Sequence, residues 1–136
     1  MPTVSTPNLT LSESNGQVTI SVRYTATFDP LDRKLTTLGR RYHAHHNVHG
    51  WDGGPDLGAV IPDAEITRLD FPVTDGTTDQ VFTQTVSKIV PRSVLQEDPT
   101  GNADEIQANV LIHSNQLMSE WTENAISDTE TLTSAP

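Results

Sequence analysis

Four of the five histidines of the chain fall within one short segment, Tyr42-His43-Ala44-His45-His46-Asn47-Val48-His49-Gly50-Trp51. Imidazole binds zinc, copper, nickel or iron(II), and it is the side chain whose charge changes nearest neutral pH. Both uses depend on which rings converge. An extended backbone places alternate residues on opposite faces. His43, His45, Asn47, His49 and Trp51 then share one face, with Tyr42, Ala44, His46 and Val48 on the other. Side chains two residues apart on a strand are separated by roughly 6.5–7 Å, so His43 and His45 can close on one ion. His49 lies one pleat too far to join them unless the strand bulges. The candidate metal ligands are therefore His43, His45 and His49, completed by a carboxylate such as Asp52 or Asp56, or by His113 from another strand. The corresponding cofactor expectation is none, with a divalent transition metal as the alternative.

The same residues have a plainer reading. Histidines on a strand commonly sit half-exposed and hydrogen-bonded without a metal, and adventitious nickel or zinc binding is commoner than a physiological site. His46 has the parity of the apolar face and reads as a satisfied core histidine. Clustered imidazoles also charge below an unperturbed pKa of about 6.5 and then repel one another, which makes pH response a further use. Trp51, with Tyr42 at the start of the segment, is the candidate binding residue, placed to touch a partner or a sugar. Trp51 serves equally as the edge of a second hydrophobic layer.

The elements that must hold this segment are legible from period-two patterning. Val18, Ile20, Val22, Tyr24, Ala26 and Phe28 alternate with Thr19, Ser21, Arg23, Thr25 and Thr27, the signature of a half-buried strand. Leu9 with Leu11 marks a shorter strand before it, and Ser14-Asn15-Gly16 is tight-hairpin chemistry. Asp29-Pro30 ends the long strand. Leu31 to Leu38 reads as a short helical turn or a loop, and Arg40 to Trp51 as the histidine strand. Glu65 to Val73 and Gln80 to Val90 read as strands around a turn at Thr74-Asp75-Gly76. Pro91 to Ala103 is irregular. Ile106, Ala108, Val110 and Ile112 alternate again, and Leu117 to Ile126 reads as a last strand. The expected fold is all-β: a single β-sandwich of about seven strands, immunoglobulin-like or related, over residues 1–136. Short irregular loops connect the strands, and flexible or partner-ordered arms are expected at 1–8 and 127–136.

Bulk properties narrow the function classes. The length of 136 residues is that of one ordinary domain. There is no cysteine, which removes disulfides, thiolate zinc sites, iron–sulfur clusters and cysteine nucleophiles. The net charge is −10, unfavourable for binding a nucleic-acid backbone. It is unevenly spread: residues 1–50 carry five basic against three acidic groups, a balance of +2, and residues 51–136 carry three against fifteen, a balance of −12. The basic part of one copy is thereby suited to the acidic part of another, although solubilising surface charge explains the same numbers. Met1 to Thr10 lacks the basic and apolar regions of a signal peptide, and no apolar run approaches membrane-spanning length. A place in the cytoplasm or in a released assembly is expected, with no membrane partner.

No nucleophile elbow, phosphate loop or dinucleotide fingerprint is present. The acidic, glycine-containing loops at 52–56 and 98–105 lack calcium-hand spacing. The expectation is thus a non-enzymatic structural or adaptor protein working through protein–protein contacts in a homo- or hetero-oligomer, such as a phage, virus-like or other repeating assembly. The alternatives are a metal-binding protein or metalloenzyme centred on His43 and His45, and a carbohydrate-binding sandwich using Trp51.

Overall fold

The computed structural model describes residues 2–50, 60–95, 104–115, 125–127 and 130–132. Among the described residues it is mostly β, with two antiparallel sheets stacked as a sandwich and no barrel. The first sheet contains β1 (Thr3–Val4), β2 (Asn8–Ser14), β3 (Gln17–Phe28) and β6 (Gln80–Pro91). In it β3 is central, with β6 along one side and β1 followed by β2 along the other. The second sheet contains β4 (Tyr42–Gly50), β5 (Ile66–Phe71), β7 (Asp104–Ser114), β8 (Ala125–Ile126) and β9 (Glu130–Leu132). Its order is β5-β4-β7, and both β8 and β9 pair with the far side of β7. Among the described residues, no helix is long and apolar enough to cross a membrane.

Alternation decides what each sheet buries. Val18, Ile20, Val22, Tyr24, Ala26 and Phe28 of β3 are each at most 2% exposed. They face Tyr42, Ala44, His46 and Val48 of β4 and Ile106, Ala108, Val110 and Ile112 of β7, all buried. Each fully buried large apolar side chain contributes about 1.5–3 kcal/mol before entropy is subtracted. One end of the core is aromatic: Phe28, Tyr42, Phe71 and Phe82 stack with ring centroids 5.0–5.8 Å apart. These four come from β3, β4, β5 and β6, so the cluster ties both sheets together.

The turns follow their residues. Asn15 and Gly16 have φ of 54° and 78°, and Ser14 pairs directly with Gln17. Two successive left-handed residues give the hairpin turn whose twist matches the flanking strands. After β3 the chain forms helix α1 (Pro30–Leu35) and a 3-10 turn, Thr36–Leu38. Asp29 and Asp32 make a reciprocal capping box, each carboxylate accepting from the other's backbone N–H at 2.7 and 3.0 Å. This segment carries the chain across from the first sheet to the second.

The strands expected on either side of Thr74-Asp75-Gly76 are present as β5 and β6, but they lie in different sheets. Pro72, which has no N–H to continue a ladder, follows β5 directly. The connection is then held by Arg33 of α1, which donates to the carbonyls of Thr74, Thr78 and Asp75 at 2.7–3.0 Å. A Cβ at Gly76 would collide with that guanidinium, so the glycine makes room for the arginine. After β6 comes a single helical turn, α2 (Arg92–Leu95).

Both terminal segments contain strand pairing. Thr3 and Val4 pair with Thr27 and Ala26, and the Ser5 N–H donates to the Thr25 carbonyl at 2.9 Å. Glu130–Leu132 pairs with residues 104–106 of β7. Ser127 is 3% exposed and exchanges two hydrogen bonds with Ala108, through its N–H and its Oγ, at 2.9 and 2.8 Å. The loop expected around Asp98 to Asn102, and most of the segment expected as a last strand before Ala125, lie outside the described residues.

Candidate functional site: a histidine cluster on the second sheet

β4 runs between β5 and β7, so its side chains have neighbours on both flanks. On the outer face His43 stands opposite His113 of β7 and Asp70 of β5. The His43 and His45 rings turn toward each other across one pleat, with Nε2 to Nε2 at 3.1 Å and centroids at 4.9 Å. The His113 ring meets the His43 ring edge-on at 5.2 Å. A hollow of about 310 Å³ opens beside His43, lined among others by Arg41, Arg68, Asp70 and Asn115. Arg68 and Asp70 pair on its rim at 3.3 Å, both substantially exposed.

Electrostatics around the pair disfavour charge. Burial holds His43 below its ordinary value, and Arg68, His45 and His113 push the same way, against Asp70. Burial likewise depresses His45, with Arg68 and His113 adding to it and Glu65 opposing. The pair is accordingly neutral near pH 7, and one Nε2–H donates to the other Nε2 lone pair. The same separation also suits a shared metal. Two imidazole nitrogens about 2.0–2.1 Å from one ion stand roughly 2.9–3.4 Å apart.

The pair could therefore offer a metal two imidazole nitrogens. His49 does not join it: it sits four residues further along β4, roughly 13 Å away at the rise of a strand, opposite Gln107 and bridged to Val60. His113 is drawn to His43, but no group of three or more histidine and carboxylate side chains among the described residues is arranged to hold a metal. Asp52 and Asp56 lie outside the described residues, as does Trp51. Tyr42 is 2% exposed, and its hydroxyl donates to the Asp32 carbonyl at 2.9 Å. Its ring belongs to the aromatic end of the core, and Tyr42 also borders the hollow beside His43.

His46 occupies the opposite face. It is 1% exposed. Its Nδ1 lies 3.1 Å from the Thr67 carbonyl and its Nε2 lies 2.8 Å from the Tyr24 hydroxyl. A carbonyl only accepts, so Nδ1 carries the proton and Nε2 accepts from Tyr24. The β4–β5 register shifts between Ala44 and His46, next to the carbonyl that His46 uses. Burial lowers the His46 pKa from 6.5 to about 4 and raises that of Tyr24.

Residue type and parity mark His43, His45 and the core position of His46. Arg68 and Asp70 carry no such signal, because only the register of β5 against β4 brings them to the histidines; Arg41 is there because it precedes His43 by two residues in the chain. Tyr24 shares inner-face parity with His46, yet parity alone does not say which residue of the opposite sheet it meets. Compared with known proteins, the chain matches no family model, no curated protein and no solved structure.

Proposed function

We propose that this chain is a non-enzymatic structural or adaptor module that works through protein–protein contacts, with self-assembly as its mode. We take its sandwich as immunoglobulin-like, with about seven strand positions when β1 with β2, and β8 with β9, each count as one interrupted edge. The observation that carries the reading is the edge formed by β6. This strand is 12 residues long, and among the described residues it pairs only with β3. It exposes Val81 and Ile89, at 57% and 61%. The other edges are blunted. β5 has 6 residues, β8 and β9 have 2 and 3, and the β1–β2 edge is broken at Ser5-Thr6-Pro7. A long edge with apolar side chains is a template for another strand. Light scattering of purified protein across concentration and salt should show a species larger than the monomer. A strict monomer under all conditions contradicts the proposal.

A second reading has its own observation, the 3.1 Å separation of the His43 and His45 Nε2 atoms. In it the pair grips one divalent transition metal, and a further ligand completes the shell. Untagged protein should then retain stoichiometric metal, and His43→Ala/His45→Ala should release it. No bound metal, or metal unaffected by the double substitution, removes this reading.

A further inference from the structure

We propose that β6 is a homodimerisation edge: two copies pair antiparallel about a two-fold axis at Thr85, joining their first sheets into one continuous sheet. The inference rests on the assembly reading above and adds the occupant and the register. Strand pairing of this kind draws its affinity from the main chain and its register from side chains.

The choice of a second copy comes from the symmetry of β6 itself. Its outer face presents Val81, Thr83, Thr85, Ser87 and Ile89, all exposed. This series reads alike in both directions: an aliphatic residue, three hydroxyls, an aliphatic residue. Antiparallel pairing centred on Thr85 sets Val81 against Ile89 of the second copy and Thr83 against its Ser87. The most exposed apolar side chains of the strand thereby cover one another at both ends. Only Thr85 meets itself, and threonine pairs across strands are favourable.

The ends of the strand point to the same centre. β6 begins at Gln80, and Pro91 closes it because proline brings no ladder donor. The part of β6 before Pro91, Gln80–Val90, has Thr85 as its midpoint, so the two-fold register uses all of it and leaves Pro91 of each copy just outside.

Charge agrees as well. Lys88 is the one charged residue of β6; it has inner-face parity, opposite Ile20, and its ammonium reaches out to donate to the Glu65 carbonyl at 3.0 Å. A lysine on an edge strand opposes indiscriminate stacking. In this register Lys88 stands opposite Phe82 of the second copy and never opposite itself. Arg23, which neighbours Thr85 on β3, would lie three strand spacings from its counterpart. That is about 14 Å, beyond the Debye length of about 8 Å at physiological salt. A two-fold contact also closes on itself, giving a dimer and no open filament.

The register is tested by sedimentation of the full chain from low micromolar to millimolar concentration. The wild type is expected to dimerise. Val81→Lys/Ile89→Lys places two lysine–lysine contacts across the axis, and dimerisation should weaken about tenfold or more. Val81→Lys/Ile89→Glu makes both contacts lysine–glutamate and should restore it. Within one copy these positions lie roughly 27 Å apart along the strand, so neither variant compensates internally. Both positions are exposed, and circular dichroism confirms an intact fold. Equal weakening by the two variants overturns the register. A wild-type oligomer that neither variant affects overturns the β6 interface while leaving self-assembly standing. A wild type that stays monomeric overturns both.

Discussion

Ile20→Asp should abolish cooperative folding. Ile20 lies mid-strand in β3, is 0% exposed, and stands between Leu11 of β2 and Lys88 of β6. The substitution removes about 1.5–3 kcal/mol of apolar burial. It also places a carboxylate in the core, which costs several kcal/mol even after the group takes up a proton. Domains of this kind have total stabilities of about 5–15 kcal/mol, so the sum is comparable with all that holds the chain together. Lys88 does not rescue the charge, because its ammonium reaches out to the Glu65 carbonyl. Ser21→Asp, one position along and on the outer face, serves as the control and should change stability by less than about 1 kcal/mol. Near-UV circular dichroism and urea unfolding report both variants. An Ile20→Asp protein with the wild-type urea midpoint would contradict the assignment of the inner face.

Acid should destabilise the fold through His46, and this is the second large effect. The ring is neutral in the core, with its pKa lowered by burial from 6.5 to about 4. Between those two values the unfolded chain binds a proton that the folded chain does not. Stability therefore rises with pH across the window, is fully present above about pH 6.5, and is lost as pH falls toward 4. At about 1.36 kcal/mol per pH unit, the loss is on the order of 3 kcal/mol. His43 and His45, also depressed, add with the same sign. His46→Gln isolates the effect, because an amide can donate to the Thr67 carbonyl and accept from the Tyr24 hydroxyl without titrating. Urea unfolding at several pH values between 7 and 4 should show a shallower decline for the variant than for the wild type. Identical pH slopes would mean that His46 does not carry the dependence.

These predictions differ in where they can be read. The Ile20 result is available from the string Val18 to Phe28, since period-two alternation is local and already separates inner from outer residues. The Asn15-Gly16 turn is local in the same way, and both appear in the structure where the residues place them. The His46 result needs two further facts, that Tyr24 stands 22 residues away across the sandwich and that Thr67 turns its carbonyl inward. Neither has a local signature. Very short strands are hidden too: Thr3–Val4 and Glu130–Leu132 hold too few residues to display a period.

The histidine segment shows the same division within one strand. Residue type and parity alone put His43 beside His45 and turn His46 to the core, because a pleated backbone alternates whatever surrounds it. Which side chains flank the pair was decided by pairing between distant segments, which brought His113 from β7 and Asp70 from β5 to His43. The change of sheet between β5 and β6 is likewise tertiary. Thr-Asp-Gly serves a hairpin and a crossover equally, and it is Arg33, some 40 residues earlier, that holds the crossover in place. Local sterics and burial set the faces of the strands; only long-range pairing and packing could set their neighbours.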